Sequence, residues 1–401
     1  MISLNWGNTK PGNYHMFKLE QTSYKDLIVM QVESLYVHFP FCRHLCNYCD
    51  FHKSVIDNQK VLKFHQQLEN QISMNQKLLN SYNVEMKRLS TLYIGGGTPS
   101  LWGDSGVSFL LKKLKAVGTE VDHKTEFTIE LNPGTWTEES ILNLVDLGVN
   151  RFSVGVQSLN PDILKKLDRI HSVEDVYRTL ELLKKLKVNY SVDFMLGLPS
   201  FEKRDLFKEI DEVATYEPSH ISSYILTVNK SYKHYTNLPD EDFVANEYLE
   251  FVDYLKKYEI YQYEVSNFAK IGFESKHNLQ YWKSNSVAAL GPSATGLIIK
   301  SKSAMRYRWK VGESSAGYTT EILDEKTLEF EKVYLAVRQA RNLDLTNFFP
   351  DHPKKVFDDI CKRWFLQGLV TGQNSSSLSL TPKGFLLLDS LFSDLFKYLK
   401  K

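Results

Sequence analysis

From Leu35 onward one hydrophobic rhythm repeats six times. A short β-branched or aromatic run is followed by a loop and then by an amphipathic segment. The runs fall at residues 35–39, 91–94, 127–131, 151–156, 190–195 and 221–226. Their length and β-branched content predict strands, and apolar residues on both faces predict a buried parallel sheet. The intervening segments place apolar residues three or four apart, as a helix face requires: Val61, Phe64, Leu68 and Ile72; Leu110, Leu111 and Leu114; Ile141, Leu144 and Val145; Val176, Leu180 and Leu183. Thr137 opens the third helix and Gly148 ends it, Ser172 caps the fourth, and further helices are expected at 204–215 and 241–258. Six strand–helix units in succession predict an α/β fold with right-handed crossovers. Eight units close a barrel, so six predict an open, partial (β/α)6 barrel; a doubly wound open sheet is the alternative from pattern alone. Either fold puts its ligand site beyond the C-terminal ends of the strands.

After Tyr261 the rhythm stops. Segments 261–268, 277–282 and 288–299 read as irregular or strand, and helices are expected at 326–339 and 355–367. Gly368 to Thr371 and Leu378 to Leu380 bracket a Ser-rich tip like the wing of a hairpin, and a last helix follows Pro382. That order is winged-helix-like. The expected division is a lead-in at 1–33, a core domain at 34–300 and a C-terminal winged-helix-like domain at 301–401, with the second boundary within 20 residues of 300.

Composition narrows the function classes. The chain has 401 residues, 42% of them hydrophobic, with 49 lysines and arginines against 48 acidic residues. A net charge of +1 asks for neither nucleic acid nor an anionic membrane, and the C-terminal segment lacks the dense basic face of a DNA-binding winged helix. No apolar run is long enough to span a membrane, and the first 34 residues lack a signal-peptide layout. Cytoplasm, a reducing compartment, is the expected location.

Three of the four cysteines, Cys42, Cys46 and Cys49, lie on the loop after the first predicted strand, spaced C-x3-C-x2-C. Soft thiolates in that number suit a [4Fe–4S] cluster with one iron left without a protein ligand. A zinc site completed by His38, His44 or His52, and a disulfide leaving one thiol over, are the alternatives. Cys361 stands alone and reads as a small buried hydrophobe.

Other chemistry-bearing residues fall at the next strand ends. Gly95-Gly96-Gly97-Thr98-Pro99 follows the second strand, and glycines let backbone approach a ligand closely. Glu130, Gln157 and Asp193 sit on the tails of strands three, four and five, where carboxylates and amides can bind hydroxyl or amino groups. Arg169 can pair a carboxylate in bidentate fashion.

The cysteine spacing, with Tyr48 before the last cysteine, resembles the signature of radical S-adenosylmethionine (SAM) enzymes. Seven motifs in order, Leu35 to Pro40, the cysteine loop, Gly95 to Ser100, Glu130 to Gly134, Gly155 to Ser158 with Arg169-Ile170-His171, Asp193 to Pro199 and His277 to Trp282, resemble oxygen-independent coproporphyrinogen III oxidase-like proteins over residues 34–300. True oxidases of that family place a further cysteine two residues after the third; Phe51 stands there in this chain. Asp50-Phe51 and His277-Asn278-x-x-Tyr281-Trp282 match instead the heme-chaperone (HemW-type) branch. The resemblance implies a cluster held by Cys42, Cys46 and Cys49, and SAM contacts from Tyr36, Gly96, Gly97, Thr98, Glu130, Gln157, Arg169 and Asp193. It implies heme as cargo, with His277 as a candidate heme ligand, and recipient heme proteins and an electron donor as partners. His38 matches a histidine implicated in oxidase chemistry. Decarboxylation of coproporphyrinogen III is the alternative function, so the resemblance leaves open whether the protein is an enzyme or a carrier. One departure from the family lies after the sixth strand, where Thr227 to Tyr232 replaces an acidic residue and a Gly-Thr pair.

Overall fold

Strand β1 (Ser34–Phe39) is buried along its whole length and lies near one edge of a nine-stranded sheet. It belongs to a computed structural model that describes residues 30–199, 204–312, 317–339, 343–349 and 352–399. The expected lead-in therefore lies almost wholly outside the described residues. Five more parallel strands follow in simple sequential order: β2 (Thr91–Gly96), β3 (Glu126–Leu131), β4 (Arg151–Gln157), β5 (Asn189–Leu196) and β6 (His220–Ile225). Two short strands extend that edge: β8 (Asn267–Ala269) pairs antiparallel with β6, and β7 (Tyr261–Gln262) pairs antiparallel with β8. At the other edge β9 (Ala288–Leu290) adds parallel to β1. The edges do not pair with each other, so the sheet is the open, partial (β/α)6 barrel that six units predict. Sequential order excludes the doubly wound alternative, whose strand order reverses at a switch point.

The crossover helices are α1 (Asn58–Ser81), α2 (Gly103–Ala116), α3 (Glu138–Asp146), α4 (Pro161–Lys166) with α5 (Val173–Leu186), and α6 (Leu206–Ala214). Their starts follow from local chemistry. Thr137 with Ser140, and Ser172 with Asp175, form reciprocal capping boxes at the N-termini of α3 and α5. Phe64, Leu68 and Ile72 of α1 are buried, as their spacing predicts, in the same core as Leu35, Val37 and Phe39. Helix α7 (Glu241–Leu255) then packs Phe251 edge-on against Phe194 and Phe268.

Two segments differ from expectation. Residues 277–282, expected to be irregular or strand, lie in helix α8 (Lys276–Trp282), started by the Ser275 side chain accepting the Asn278 N–H. Beyond β9 an antiparallel meander, β10 (Thr295–Lys300), β11 (Ser303–Trp309) and β12 (Tyr318–Leu323), crosses the expected boundary at 300. Its Tyr307 and Trp309 are fully buried in the barrel's own core, where both side chains bond the Ala289 backbone. The division between cores instead falls within α9 (Glu325–Ala336): Leu328 packs with the meander and Val333 with the second core. That second core gathers α10 (Lys354–Leu366), α11 (Pro382–Leu386) and α12 (Leu388–Leu399) around Phe357, Cys361 and Trp364. An isolated antiparallel bridge, Val370–Leu380, joins the two segments expected to bracket the hairpin, and Leu343 bridges Leu378 beside it. Among the described residues, no helix is long and apolar enough to cross a membrane.

Candidate functional site

The exit of β1 carries the cysteine loop. Phe41–Cys42 pairs with Ser54–Val55, closing residues 43–53 into a loop over the C-terminal end of the sheet. All three cysteines are free thiols; Cys42 is buried, while Cys46 and Cys49 are partly exposed. Burial pushes the Cys42 thiol up, and the neighbouring Cys49 and Cys46 push the same way. Burial raises Cys46 too, opposed by the Arg169 guanidinium beside it. Cys42 and Cys46, held protonated by burial with further cysteines beside them, belong to a donor set in want of a cation. In this conformation, among the described residues, no three His, Cys, Asp or Glu side chains converge on one metal position.

The triple glycine runs directly beneath that loop. Gly97 N–H donates to the Phe39 carbonyl at 2.8 Å and Thr98 N–H to the Phe41 carbonyl at 2.8 Å. A Cβ at Gly97 would stand 2.7 Å from the Phe41 oxygen, and one at Gly96 2.6 Å from the His38 ring. The glycines thus have a packing cause of their own: only a chain without side chains fits under the β1 exit.

Next to them Glu130 is committed at both oxygens, accepting the Gly96 N–H at 2.9 Å and the Tyr93 hydroxyl at 3.1 Å. Burial raises its pKa to about 7, outweighing both hydrogen bonds. Asp193, also raised by burial, accepts from Ser153 and Ser191. Arg169 Nη2 donates to the Asn132 side chain and the Gly155 carbonyl, each at 2.9 Å. Asn132 in turn donates to Thr98 at 3.0 Å. Gln157 ends β4 in the left-handed region, with φ 70°. Arg204, in a buried pair with Glu209 at 2.8 Å, bonds the Gln157 carbonyl and holds that strand end.

Two buried polar atoms in this set have no partner, Gln157 Oε1 and Arg169 Nε. Orphaned groups of that kind cost about 1–3 kcal/mol each and mark a place where a polar ligand belongs. A cleft between the cysteine loop and residues 168–171 joins Cys46, Thr98, Asn132 and Arg169. The structure therefore brings Gly96, Gly97, Thr98, Glu130, Gln157, Arg169 and Asp193 to one end of the sheet. Tyr36 and His38 lie on β1 below them. The His38 Nε2 hydrogen bond to the His52 carbonyl, 2.8 Å, can only be donated by the ring, so Nδ1 accepts from the Tyr36 hydroxyl at 3.0 Å. Burial lowers the His38 pKa to about 4, and the ring is neutral with both nitrogens engaged.

His277 lies elsewhere. Its Nδ1 pairs with the hydroxyl of Thr91, the first residue of β2, at 2.8 Å. The Lys276 and His277 backbone N–H groups donate to Glu126, the first residue of β3. Helix α8 therefore plugs the N-terminal end of the barrel, opposite the cysteine loop, with a carboxylate at its N-terminus. The ring is 1% exposed, stacks on Tyr93, and is held neutral by burial and then by Arg151, with its pKa lowered to about 3. This placement gives His277 a structural task. His277→Ala removes the Thr91 partner and leaves a cavity. It should lower the unfolding free energy by about 2 kcal/mol in urea titration; unchanged stability would remove the plug role.

Tyr93, Asn132 and Ser153 complete the site without a role assigned from sequence. Tyr93 had a readable signal, since it alternates inward and pairs in register with Tyr36. Asn132 and Ser153 had none beyond their neighbours.

Comparison with known proteins places this geometry. The radical SAM superfamily profile matches residues 36–213. Heme chaperone HemW of Bacillus subtilis (strain 168) is 31% identical over 380 residues, covering 90% of this chain and 98% of its own. Heme chaperone HemW of Lactococcus lactis subsp. lactis (strain IL1403) is 30% identical over 91% of this chain and 97% of its own. Among solved structures, coproporphyrinogen III oxidase (HemN) from Escherichia coli, a radical SAM enzyme, superposes with a TM-score of 0.74, covering 91% of this chain and 90% of that one. At 18% identity that likeness speaks to the fold.

Proposed function

This chain belongs to the HemW family of radical SAM proteins, and from that premise we propose that it is a heme chaperone. It binds a [4Fe–4S] cluster through Cys42, Cys46 and Cys49, binds SAM at the adjoining strand ends, and carries heme to recipient heme proteins of respiration. The observation that carries this reading is the near full-length match to HemW, C-terminal domain included, at 31% identity. Phe51, where an oxidase would place its further cysteine, points the same way.

The donor set fits the cofactors. Three thiols on one loop supply three cluster ligands and leave an iron open. When bound, such a cluster supplies a low-potential electron to the SAM sulfonium. The chain's own residues do the rest. Gly96 and Gly97 keep the floor of the cleft low, and the orphan Gln157 Oε1 and Arg169 Nε offer an acceptor and a donor to a polar ligand. Glu130, its carboxyl raised to about 7 by burial, anchors the Gly96 backbone and the Tyr93 hydroxyl at the same strand end. We place the protein in the cytoplasm, where thiols stay reduced.

The test is direct. Purified without oxygen and reconstituted with iron and sulfide, the full chain is offered heme and coproporphyrinogen III in separate experiments. Retained heme, with no decarboxylated product in the presence of SAM and reductant, is the expected result. Turnover of coproporphyrinogen III would replace the chaperone by the oxidase.

A further inference from the structure

Asp193, at the cofactor end of the barrel, and helix α8, at the opposite end, are joined through the interior by an unbroken chain of hydrogen bonds. Ser191 Oγ stands 3.1 Å from Asp193 Oδ1. His220 Nδ1 lies 2.8 Å from Ser191 Oγ, and His220 Nε2 lies 2.9 Å from the Tyr263 hydroxyl. That hydroxyl accepts the backbone N–H of Ser275 at 3.1 Å. Ser275 is the residue whose side chain starts α8. Ser191, His220 and Ser275 are fully buried and Tyr263 is 5% exposed, so bulk water does not compete for these links.

The chain has one direction. A backbone N–H cannot turn round, so Tyr263 receives the Ser275 hydrogen and keeps its own for His220 Nε2. The imidazole, held neutral by burial and then by the Arg151 charge, carries its proton on Nδ1 and donates it to Ser191. The Ser191 hydrogen goes either to Asp193 or to Ser222, whose Oγ is 3.0 Å away. This assignment uses every hydrogen once and leaves no group of the chain unmet. Ser191 is therefore the point where the chain has two states. A ligand that donates to Asp193 keeps it an ionised acceptor and holds the Ser191 hydrogen on it. Bonds in series in a low dielectric polarise one another, by about 10–30% per bond, and the last bond of this series seats α8. Tyr93 makes a second path, its hydroxyl on Glu130 and its ring on His277, but a stacked ring has no bond polarity to pass on.

We propose that His220 and Tyr263 are positioning residues that couple the two ends of the barrel: SAM donating to Asp193 binds more tightly when α8 is docked, and so holds α8 in place. The inference rests on the SAM site proposed above. It extends that site's reach to His277 through Trp282, the stretch that sets this chain apart from the oxidases. By linkage, the gain in docking and the gain in SAM affinity are the same free energy.

Amide hydrogen exchange of the cluster-loaded full chain, followed by mass spectrometry without oxygen in the presence and absence of saturating SAM, tests it. SAM should slow exchange in peptides covering α8 by about fivefold or more, the lower end of usual couplings between sites. Tyr263→Phe removes the hydroxyl between α8 and His220. Ser191→Ala leaves every α8 contact whole and cuts the chain next to Asp193. Each should abolish the slowing while SAM still binds in equilibrium dialysis. Tyr248→Phe deletes another buried hydroxyl nearby, one bonded to Gln262 and outside the chain, and should keep the slowing. Slowing that survives in either Tyr263→Phe or Ser191→Ala, slowing lost equally in Tyr248→Phe, or a wild-type α8 indifferent to bound SAM overturns the coupling and leaves the SAM site standing. A cluster-loaded wild-type chain that binds no SAM overturns the site and the coupling together.

Discussion

Cys46→Ala should strip the reconstituted protein of its iron–sulfur absorbance and of tight SAM binding while leaving the fold intact. Cys46 sits in the middle of the loop, its sulfur 3.4 Å from the Asp168 carbonyl and beside Arg169. It thus joins the cysteine loop to the residue 168–171 turn at the mouth of the cleft. Two thiolates cannot hold a cubane that already lacks a fourth protein ligand. The fold has little stake in the side chain, because Cys46 is partly exposed and absent from the barrel core. Far-ultraviolet dichroism and the urea midpoint of the cluster-free variant should match those of the cluster-free parent. Cys361→Ala is the matched control. Cys361 is buried in the second core, and burial pushes its thiol up to about 12, so it is a protonated packing group with no claim on iron. Iron and sulfide content, with the visible spectrum, decide the matter. A Cys46→Ala protein with a full complement of iron removes it from the ligand set, and a Cys361→Ala protein without iron would bring the fourth cysteine into it.

The strand ends were legible because parallel sheets force chemistry there. The runs ended in Cys42, Gly96, Glu130, Gln157 and Asp193, and the register makes Glu130 and Ser153, or Asp193 and Ser222, neighbours on adjacent strands. What failed to show was whatever depends on partners distant in sequence. The partners of His277 are of that kind: Thr91, 186 residues away, takes its Nδ1, and Glu126 takes the start of its helix. A helix of seven residues has too few turns for periodicity to reveal, so α8 passed for irregular chain. The second and third strands of the meander were missed for a related reason: Tyr307 and Trp309 are large enough to finish the barrel's core, and that is a tertiary fact.

Glu264→Gln should make the protein more stable at pH 8 by up to about 3 kcal/mol and change nothing at pH 4.5. Glu264 lies in the connection between β7 and β8 and is fully buried. Its Oε1 accepts the Ser266 N–H at 3.2 Å, but Oε2 has no partner, and neither has the Oδ1 of the adjoining Asn267. Burial raises the Glu264 pKa from 4.5 to about 7, despite hydrogen bonds that pull it down. The sign follows from proton counting. The folded state holds the proton between pH 4.5 and 7 and the unfolded state does not. The stability this group contributes is therefore complete below pH 4.5 and is lost as pH rises through 7. At about 1.4 kcal/mol per pH unit, the span from 4.5 to about 7 gives the figure of about 3 kcal/mol. Glutamine keeps the shape of the protonated acid, cannot ionise, and brings an N–H that the Asn267 oxygen can accept. Urea titrations of both proteins at pH 4.5, 6 and 8 should show a gap that opens with pH. A constant gap would mean that the introduced glutamine gains only a contact, and a less stable variant at pH 8 would mean that the ionised carboxylate is the form the fold requires.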